Sequence, residues 1–151
     1  MLPHSWQTAR LLVQDAVAVD RDVAHACLAE SQDVASLDPA FALVPPEELE
    51  AHIQRSMAGA DAASRAFQMQ VLRVAATGDV AGYWHFMAVP RKPSAVGVSI
   101  LLIRPSHRRL GLGRELIAGA LSRFDASKDE IWARVYLANL RALEFWSRLG
   151  L

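Results

Sequence analysis

Val98-Ser99-Ile100-Leu101-Leu102-Ile103 runs directly into Arg104-Pro105-Ser106-His107-Arg108-Arg109-Leu110-Gly111-Leu112-Gly113-Arg114. The first segment has the length and apolar content of a buried strand, and downstream Ile117, Ala120, Leu121 and Phe124 recur at the spacing of one helical face. The basic, glycine-rich turn therefore lies where a helix begins. There the first backbone amides have no intrahelical partner and the helix dipole is positive, so an anion fits if no side chain blocks it. Gly111 and Gly113 remove such blocks and tolerate the positive φ of an amide nest, while Arg104, Arg108, Arg109 and Arg114 surround the turn. This pattern suits a polyphosphate. A Walker loop would end in Gly-Lys-Ser/Thr, and a Rossmann fingerprint would carry a further glycine where Leu116 stands.

The spacing Arg108-x-x-Gly111-x-Gly113, with Pro105 and the aliphatic Ile103 before it, resembles the acyl-CoA loop of the GNAT superfamily of N-acyltransferases. A second segment, Asn139-x-x-Ala142-x-x-Phe145-Trp146-x-x-Leu149-Gly150-Leu151, is similar to that family's Asn-x-x-Ala to Gly-Phe region. Packing alone accounts for much of this second segment. Ala142, Phe145, Trp146 and Leu149 form a helical stripe, Asn139 is a favoured cap and Gly150 a favoured stop. The packing alternative for the first segment is an ordinary glycine-rich turn with surface arginines.

The length of 151 residues and a hydrophobic content of 52% fit one domain with a single core. Lys+Arg and Asp+Glu are both 16, so net charge offers no argument for nucleic acid or an acidic membrane surface. The single cysteine, Cys27, excludes an intramolecular disulfide and disfavours a thiolate metal site; it fits a small core residue on a helix. Leu11-Leu12-Val13 is too short for a signal-peptide core, and no run approaches a membrane span. The expectation is a cytoplasmic protein with no metal, nucleic-acid or membrane partner.

Thr8 to Val13 suggests a first strand, and Asp20 a cap for a helix burying Val23, Ala24, Cys27 and Leu28. Pro45-Pro46-Glu47-Glu48 starts a second helix with Leu49, Ile53 and Met57 inward. Ala58 to Ser64 suits a loop. Phe67, Met69 and Val71 alternate with Gln68 and Gln70 as in a half-buried strand. After the Thr77-Gly78-Asp79 turn, Val80 to Val89 returns with Gly82, Trp84 and Phe86 on one face and Tyr83, His85 and Met87 on the other. Glu130 to Leu137 forms a later strand, parallel to the central one. The fold expected is α+β (mixed α/β): a GNAT-like central mixed sheet, with an antiparallel meander followed by a parallel β-α-β unit, flanked by helices in one domain over residues 1–151.

The resemblance implies an N-acetyltransferase moving an acetyl group from acetyl-CoA to a primary amine of a small molecule or peptide. The alternative is a non-catalytic acyl-CoA-binding or interaction module of the same fold. It implies donor contacts at Leu101, Leu102, Ile103, Arg108, Arg109, Leu110, Gly111, Leu112, Gly113, Arg114 and Asn139, and an acceptor pocket near Asp33, Asp38 and Phe41. The diphosphate would lie on the loop amides, the pantetheine along Leu101 to Ile103 where two strands splay apart, and a backbone N–H would stabilise the oxyanion. The family's usual base and acid positions hold Ser99 and Trp146. Tyr83, His85 and Tyr136 are substitute candidates, with His107 beside the loop, so the catalytic residues are left unassigned. A GNAT domain normally adds two strands beyond the Gly-Phe position. A free apolar edge over Glu130 to Leu137, exposing residues such as Ile131 and Val135, would therefore favour a homodimer or another strand-supplying partner.

Overall fold

The computed structural model describes residues 2–61, 65–124 and 130–151. Six strands form one sheet in sequence order: β1 (Ser5–Gln7), β2 (Leu11–Asp15), β3 (Phe67–Val74), β4 (Val80–Val89), β5 (Lys92–Ile103) and β6 (Glu130–Ala133). The first four junctions are antiparallel and the β5–β6 junction is parallel. The helices are α1 (Arg21–Ala29), α2 (Gln32–Ala35), α3 (Pro46–Ala58), α4 (Leu112–Leu121) and α5 (Leu140–Ser147). The mixed sheet, the meander and the parallel β-α-β unit expected from the sequence are all present.

Helices cover both faces of the sheet. On one face Leu112, Leu116, Ile117 and Ala120 of α4 and Trp146 of α5 pack with Leu72, Trp84, Phe86 and Val98. On the other, Ala24, Cys27 and Leu28 of α1 and Leu49 and Ile53 of α3 pack with Met69, Val71, Tyr83 and Leu102. The alternating faces of β4 thus feed two cores, as the order of its side chains predicts.

Several boundaries differ from expectation, each for a physical reason. The anticipated strand from Thr8 to Val13 is a hairpin instead, because Thr8 to Arg10 turns between β1 and β2; Thr8 and Arg10 both bond Glu115 of α4. Asp20 precedes α1 but does not cap it through its side chain. Its carboxylate accepts from the Val17 amide at 3.0 Å and pairs with Arg73. On α3, Ser56 is buried and Met57 exposed, because the Ser56 hydroxyl accepts from the Met69 amide and from Arg65. The loop assigned to Ala58–Ser64 begins one residue late, and residues 62–64 lie outside those described.

The strand β3 is buried on both faces. Gln68 and Gln70 do not meet water; they bind the N-terminal segment. Gln68 Oε1 accepts from the Leu2 amide at 3.1 Å, Gln70 Nε2 donates to the Pro3 carbonyl at 2.8 Å, and Gln70 Oε1 accepts from the indoles of Trp6 and Trp84. Central strand β5 starts at Lys92, before the expected Val98, and includes Pro93 where the register with β4 is irregular. On α4 the buried set is Leu112, Leu116, Ile117 and Ala120; Leu121 is exposed and Phe124 lies beyond the helix. The last strand stops at Ala133, short of Leu137. Ile131 is buried and Val135 packs on the core, so neither is an exposed edge residue; Trp132, 47% exposed, is.

Gly82 of β4 lies opposite Ile103 of β5, with its Cα facing the Leu102 carbonyl. A Cβ built there would stand 1.9 Å from the Leu102 carbonyl oxygen, a backbone atom that cannot swing aside. Gly82→Ala should therefore destabilise the fold by about 3 kcal/mol, the upper range of overpacking costs. Urea unfolding followed by circular dichroism would read this as a lowered midpoint with an unchanged slope.

Candidate functional site

The sequence places the anion-seeking turn at the end of β5, and the structure builds a nest there. Arg109 has φ 61° and Gly111 φ 79°, and Gly111 immediately precedes α4. No backbone N–H from Arg109 to Arg114 has an acceptor among the described residues. Buttressing comes from the opposite end of the chain. Arg10 donates from Nη1 to the Leu110 carbonyl at 2.8 Å and from Nε to Glu115 Oε2 at 2.7 Å. Burial alone would push the Glu115 carboxyl up, but hydrogen bonds from Thr8 and Arg10 outweigh it and hold the pKa below the ordinary value. A half-open cavity of about 350 Å³ borders this nest, lined by Arg10, Val74, Thr77, His107, Leu110 and Leu112 among others.

The two glycines have different duties. Gly111 supplies the left-handed turn, with only Arg10 Nη2 near a built Cβ, at 3.5 Å. Gly113 makes room for a ring: a Cβ there would meet Phe145 Cε2 at 3.2 Å. Phe145 of the second sequence segment thus packs under the first.

Beside the nest the sheet opens. Pairing of β5 with β6 ends at Val98 opposite Ala133, while β5 continues to Ile103. Ser99 to Ile103 have no neighbouring strand on that side among the described residues. At the same point β5 is bulged against β4: His85 faces Ile100 and Phe86 faces Val98, leaving Ser99 unpaired in the ladder with an exposed side chain. Leu101 and Ile103 pack toward the α4 face and Leu102 toward α1 and α3. Arg109, Leu110 and Arg114 are exposed and Leu112 is buried. Asn139 is buried, and its Oδ1 accepts from the Ala142 amide at 3.2 Å as the cap of α5.

The side chains considered for proton transfer do not converge on Ser99. Trp146 is buried in the core against Phe145. Tyr136 is exposed, and His107 Nδ1 lies 2.9 Å from the Ser106 hydroxyl. His85 is only 3% exposed, with its ring 5.3 Å from those of Tyr83 and Phe67 and 5.2 Å from that of His52. Nε2 of His85, the Tyr83 hydroxyl and Nδ1 of His52 are buried without hydrogen-bond partners among the described residues. Burial, then the neighbouring His52, pushes the His85 pKa down to about 3, and burial raises that of Tyr83. Cys27, in the same core, is pushed up to about 11 by burial, which makes it an unreactive thiol.

Contacts that sequence reading missed tie α1 and α2 to the loop. Arg104 pairs with Glu30, and Arg108 Nη1 reaches both Asp33 oxygens at 3.1 and 2.8 Å. Arg108 Nε donates to the Ile103 carbonyl at 2.8 Å, fixing the guanidinium at the end of the open stretch. These partners are some 75 positions apart in sequence, so no local pattern announces them.

A mixed sheet whose parallel pair parts beside an amide nest is the arrangement that the resemblance to acyl-CoA-dependent acyltransferases implies. The family model described as the acetyltransferase (GNAT) family matches residues 33–151, and the chain belongs to that family. Among similar solved structures is an acetyltransferase from Thermus thermophilus, 21% identical, covering 96% of this chain and 88% of that one with a TM-score of 0.78. An acetyltransferase from Salmonella typhimurium that modifies the N-terminal serine of ribosomal protein L7/L12 is 12% identical, with coverages of 93% and 80% and a TM-score of 0.78. The spermidine N-acetyltransferase from Vibrio cholerae, solved with CoA and spermine, is 20% identical, with coverages of 93% and 79% and a TM-score of 0.68. Such identities establish a shared fold. Comparison with curated protein sequences finds no match. Among the described residues no helix is long and apolar enough to cross a membrane.

His85 makes a testable contribution to acid stability. Unfolded, it takes a proton below about pH 6.5; folded, it refuses one until about pH 3. Between those values the unfolded chain binds more protons, so stability falls as pH drops through the window. His85→Phe should flatten that acid limb, seen as a smaller fall in melting temperature between pH 6.5 and 4 than in the wild type.

Proposed function

We propose that this chain is an N-acetyltransferase, folded as one domain, that transfers an acetyl group from acetyl-CoA to the primary amine of a small molecule or peptide. The observation that carries this is the nest of amides from Arg109 to Arg114, unpartnered among the described residues and set at the end of a strand whose parallel partner stops at Ala133, opposite Val98. The diphosphate takes the amides and Arg108. The pantetheine lies along Leu101 to Ile103, where its amide groups can complete the interrupted ladder. Family membership, and the CoA complex of the Vibrio cholerae enzyme of similar fold, support the choice of donor.

In the transfer the amine nitrogen attacks the thioester carbonyl carbon, and the oxygen becomes an oxyanion. Backbone N–H groups at the Ser99 bulge are suited to stabilise it, since a bulge frees ladder donors at a fixed position. The C–S bond then breaks with its electron pair leaving on sulfur, the amine proton passes to water, and the thiolate takes a proton from solvent. His85 is unsuited as the base. Its pKa of about 3 gives it little hold on a proton from an ammonium group, and it is sealed from solvent. The amine must therefore arrive neutral.

The absence of a side-chain base at Ser99 and of an acid at Trp146 favours a second reading, a module that binds acyl-CoA without turnover. Measuring thiol release from acetyl-CoA across a panel of amines separates the two. The enzyme should release CoA at a rate rising with pH as the neutral amine fraction grows; saturable binding with no release from any amine would select the binding module. The site itself is tested by Gly111→Asp against Gly111→Asn, residues of similar size that both tolerate the left-handed conformation. The aspartate should weaken acetyl-CoA binding at least about tenfold relative to the asparagine, since it adds a charge facing the diphosphate. Equal affinities would reject the nest.

We also infer that the edge of β6, which has no further strand beside it among the described residues, pairs with a second copy. Exposed Trp132, Tyr136 and Leu137 lie along or just beyond that edge, and covering them gains about 25 cal/mol per Å² of apolar surface. Light scattering should show a dimer in the wild type and a folded monomer for Trp132→Lys. A wild-type monomer at micromolar concentration would end this part of the reading.

A further inference from the structure

Asp33 sits between two arginines that come from opposite sides of the open stretch. Arg108 follows β5; Arg141 belongs to α5, which follows β6. Arg108 Nη1 contacts both carboxylate oxygens, and Arg141 Nη1 approaches Oδ2 at 3.9 Å. One anionic group thus bridges the two banks where the strands part. Asp33 is itself on α2, an element independently anchored by Gln32, whose Nε2 donates to the carbonyls of Leu28 and Phe41 at 2.9 and 3.0 Å. The carboxylate is therefore not needed to hold α2 in place, and its side chain is 48% exposed.

The arginine seat is incompletely satisfied by this guest. Arg108 spends Nε on the Ile103 carbonyl and Nη1 on Asp33, but Nη2 is buried with no acceptor among the described residues. A buried charged donor in that condition costs free energy that a better-fitting anion would recover. A carboxylate offers two oxygens; a diphosphate offers more oxygens and more charge. The exposed ion pair that must be broken is of a kind worth little.

We propose that Arg108 and Arg141 form a single anion seat for the diphosphate of the acyl donor, and that Asp33 occupies it in the free protein as a built-in competitor. This rests on the donor reading above and extends it to Arg141 and Asp33. Donor binding displaces the Asp33 carboxylate, and α2 loses its tie to the loop at that moment. Donor binding is thereby felt at α2, beside the expected acceptor pocket near Asp33, Asp38 and Phe41.

The test is calorimetric titration of acetyl-CoA into the wild type, Asp33→Asn, Arg141→Ala and the double variant. Asp33→Asn removes the competing charge with little change of shape and should tighten binding about two- to fivefold, the upper range of a surface ion pair. Arg141→Ala should weaken binding, and in its background the gain from Asp33→Asn should shrink, because the competitor has lost one of its two partners. Asp33→Ser is the second form of the variant should asparagine perturb α2. Unchanged or weaker binding in both Asp33 variants, with the wild type binding normally, would overturn the seat while leaving the donor reading intact. Failure of the wild type to bind would remove both.

Discussion

The candidate site depends on one interruption: the hydrogen-bonded ladder between β5 and β6 stops at Val98 and Ala133 while β5 runs on to Ile103. A strand in the middle of a sheet normally spends its backbone groups on both neighbours. Here one side of the last five residues has no strand beside it among the described residues, and the proposed function gives that side to the donor. Because β5 is held firmly on its other side by β4, the exposed groups are rigidly placed. Their rigidity is what makes them useful as a template for an extended, amide-bearing chain. The nest from Arg109 to Arg114 continues the same logic around the corner, since helix-start amides are also groups the fold cannot satisfy internally.

The opening requires a sheet that does not collapse into it. Strands β3 and β4 supply that stiffness by being buried on both faces, which obliges every polar group within them to be accounted for. On the α4 face the account closes: Gln68 and Gln70 bind the N-terminal segment, and Asp15 binds Gln68, Gln70 and Arg65. On the α1 and α3 face it does not close, because Tyr83, His85 and His52 retain buried atoms unpaired among the described residues. The two cores are therefore unlike. The closed one fixes the nest through Thr8, Arg10 and Glu115, while the other carries uncompensated polarity under α1 and α3.

How much of this was legible depended on the range of the forces involved. The nest and the start of α4 are written locally, since Gly111 and the apolar run before it leave few alternatives. The faces of β4 were also readable, because period-two alternation survives any environment. The same alternation misled at Gln68 and Gln70: polar residues facing water and polar residues facing a buried N-terminal segment have identical patterns, and only tertiary contact distinguishes them. Likewise the hairpin at Thr8 to Arg10 is imposed by Glu115, more than a hundred positions away. The clamp of Arg108 on Asp33 is equally non-local, and in sequence both residues look like ordinary surface charges.

Gly113 shows how the two sequence segments depend on each other. Glycine at the start of α4 invites explanation by the ligand alone, since a side chain there could obstruct a phosphate. Yet the atoms nearest a built Cβ are those of the Phe145 ring, from the segment whose residues could be explained by packing. The loop motif is therefore partly a packing motif, and the packing segment bears on the proposed anion seat, because seating Phe145 against α4 helps to position α5 and with it Arg141. A larger residue at position 113 would displace α5 before it obstructed any phosphate. Gly111, whose surroundings are open apart from Arg10, is consequently the cleaner of the two reporters on the nest itself.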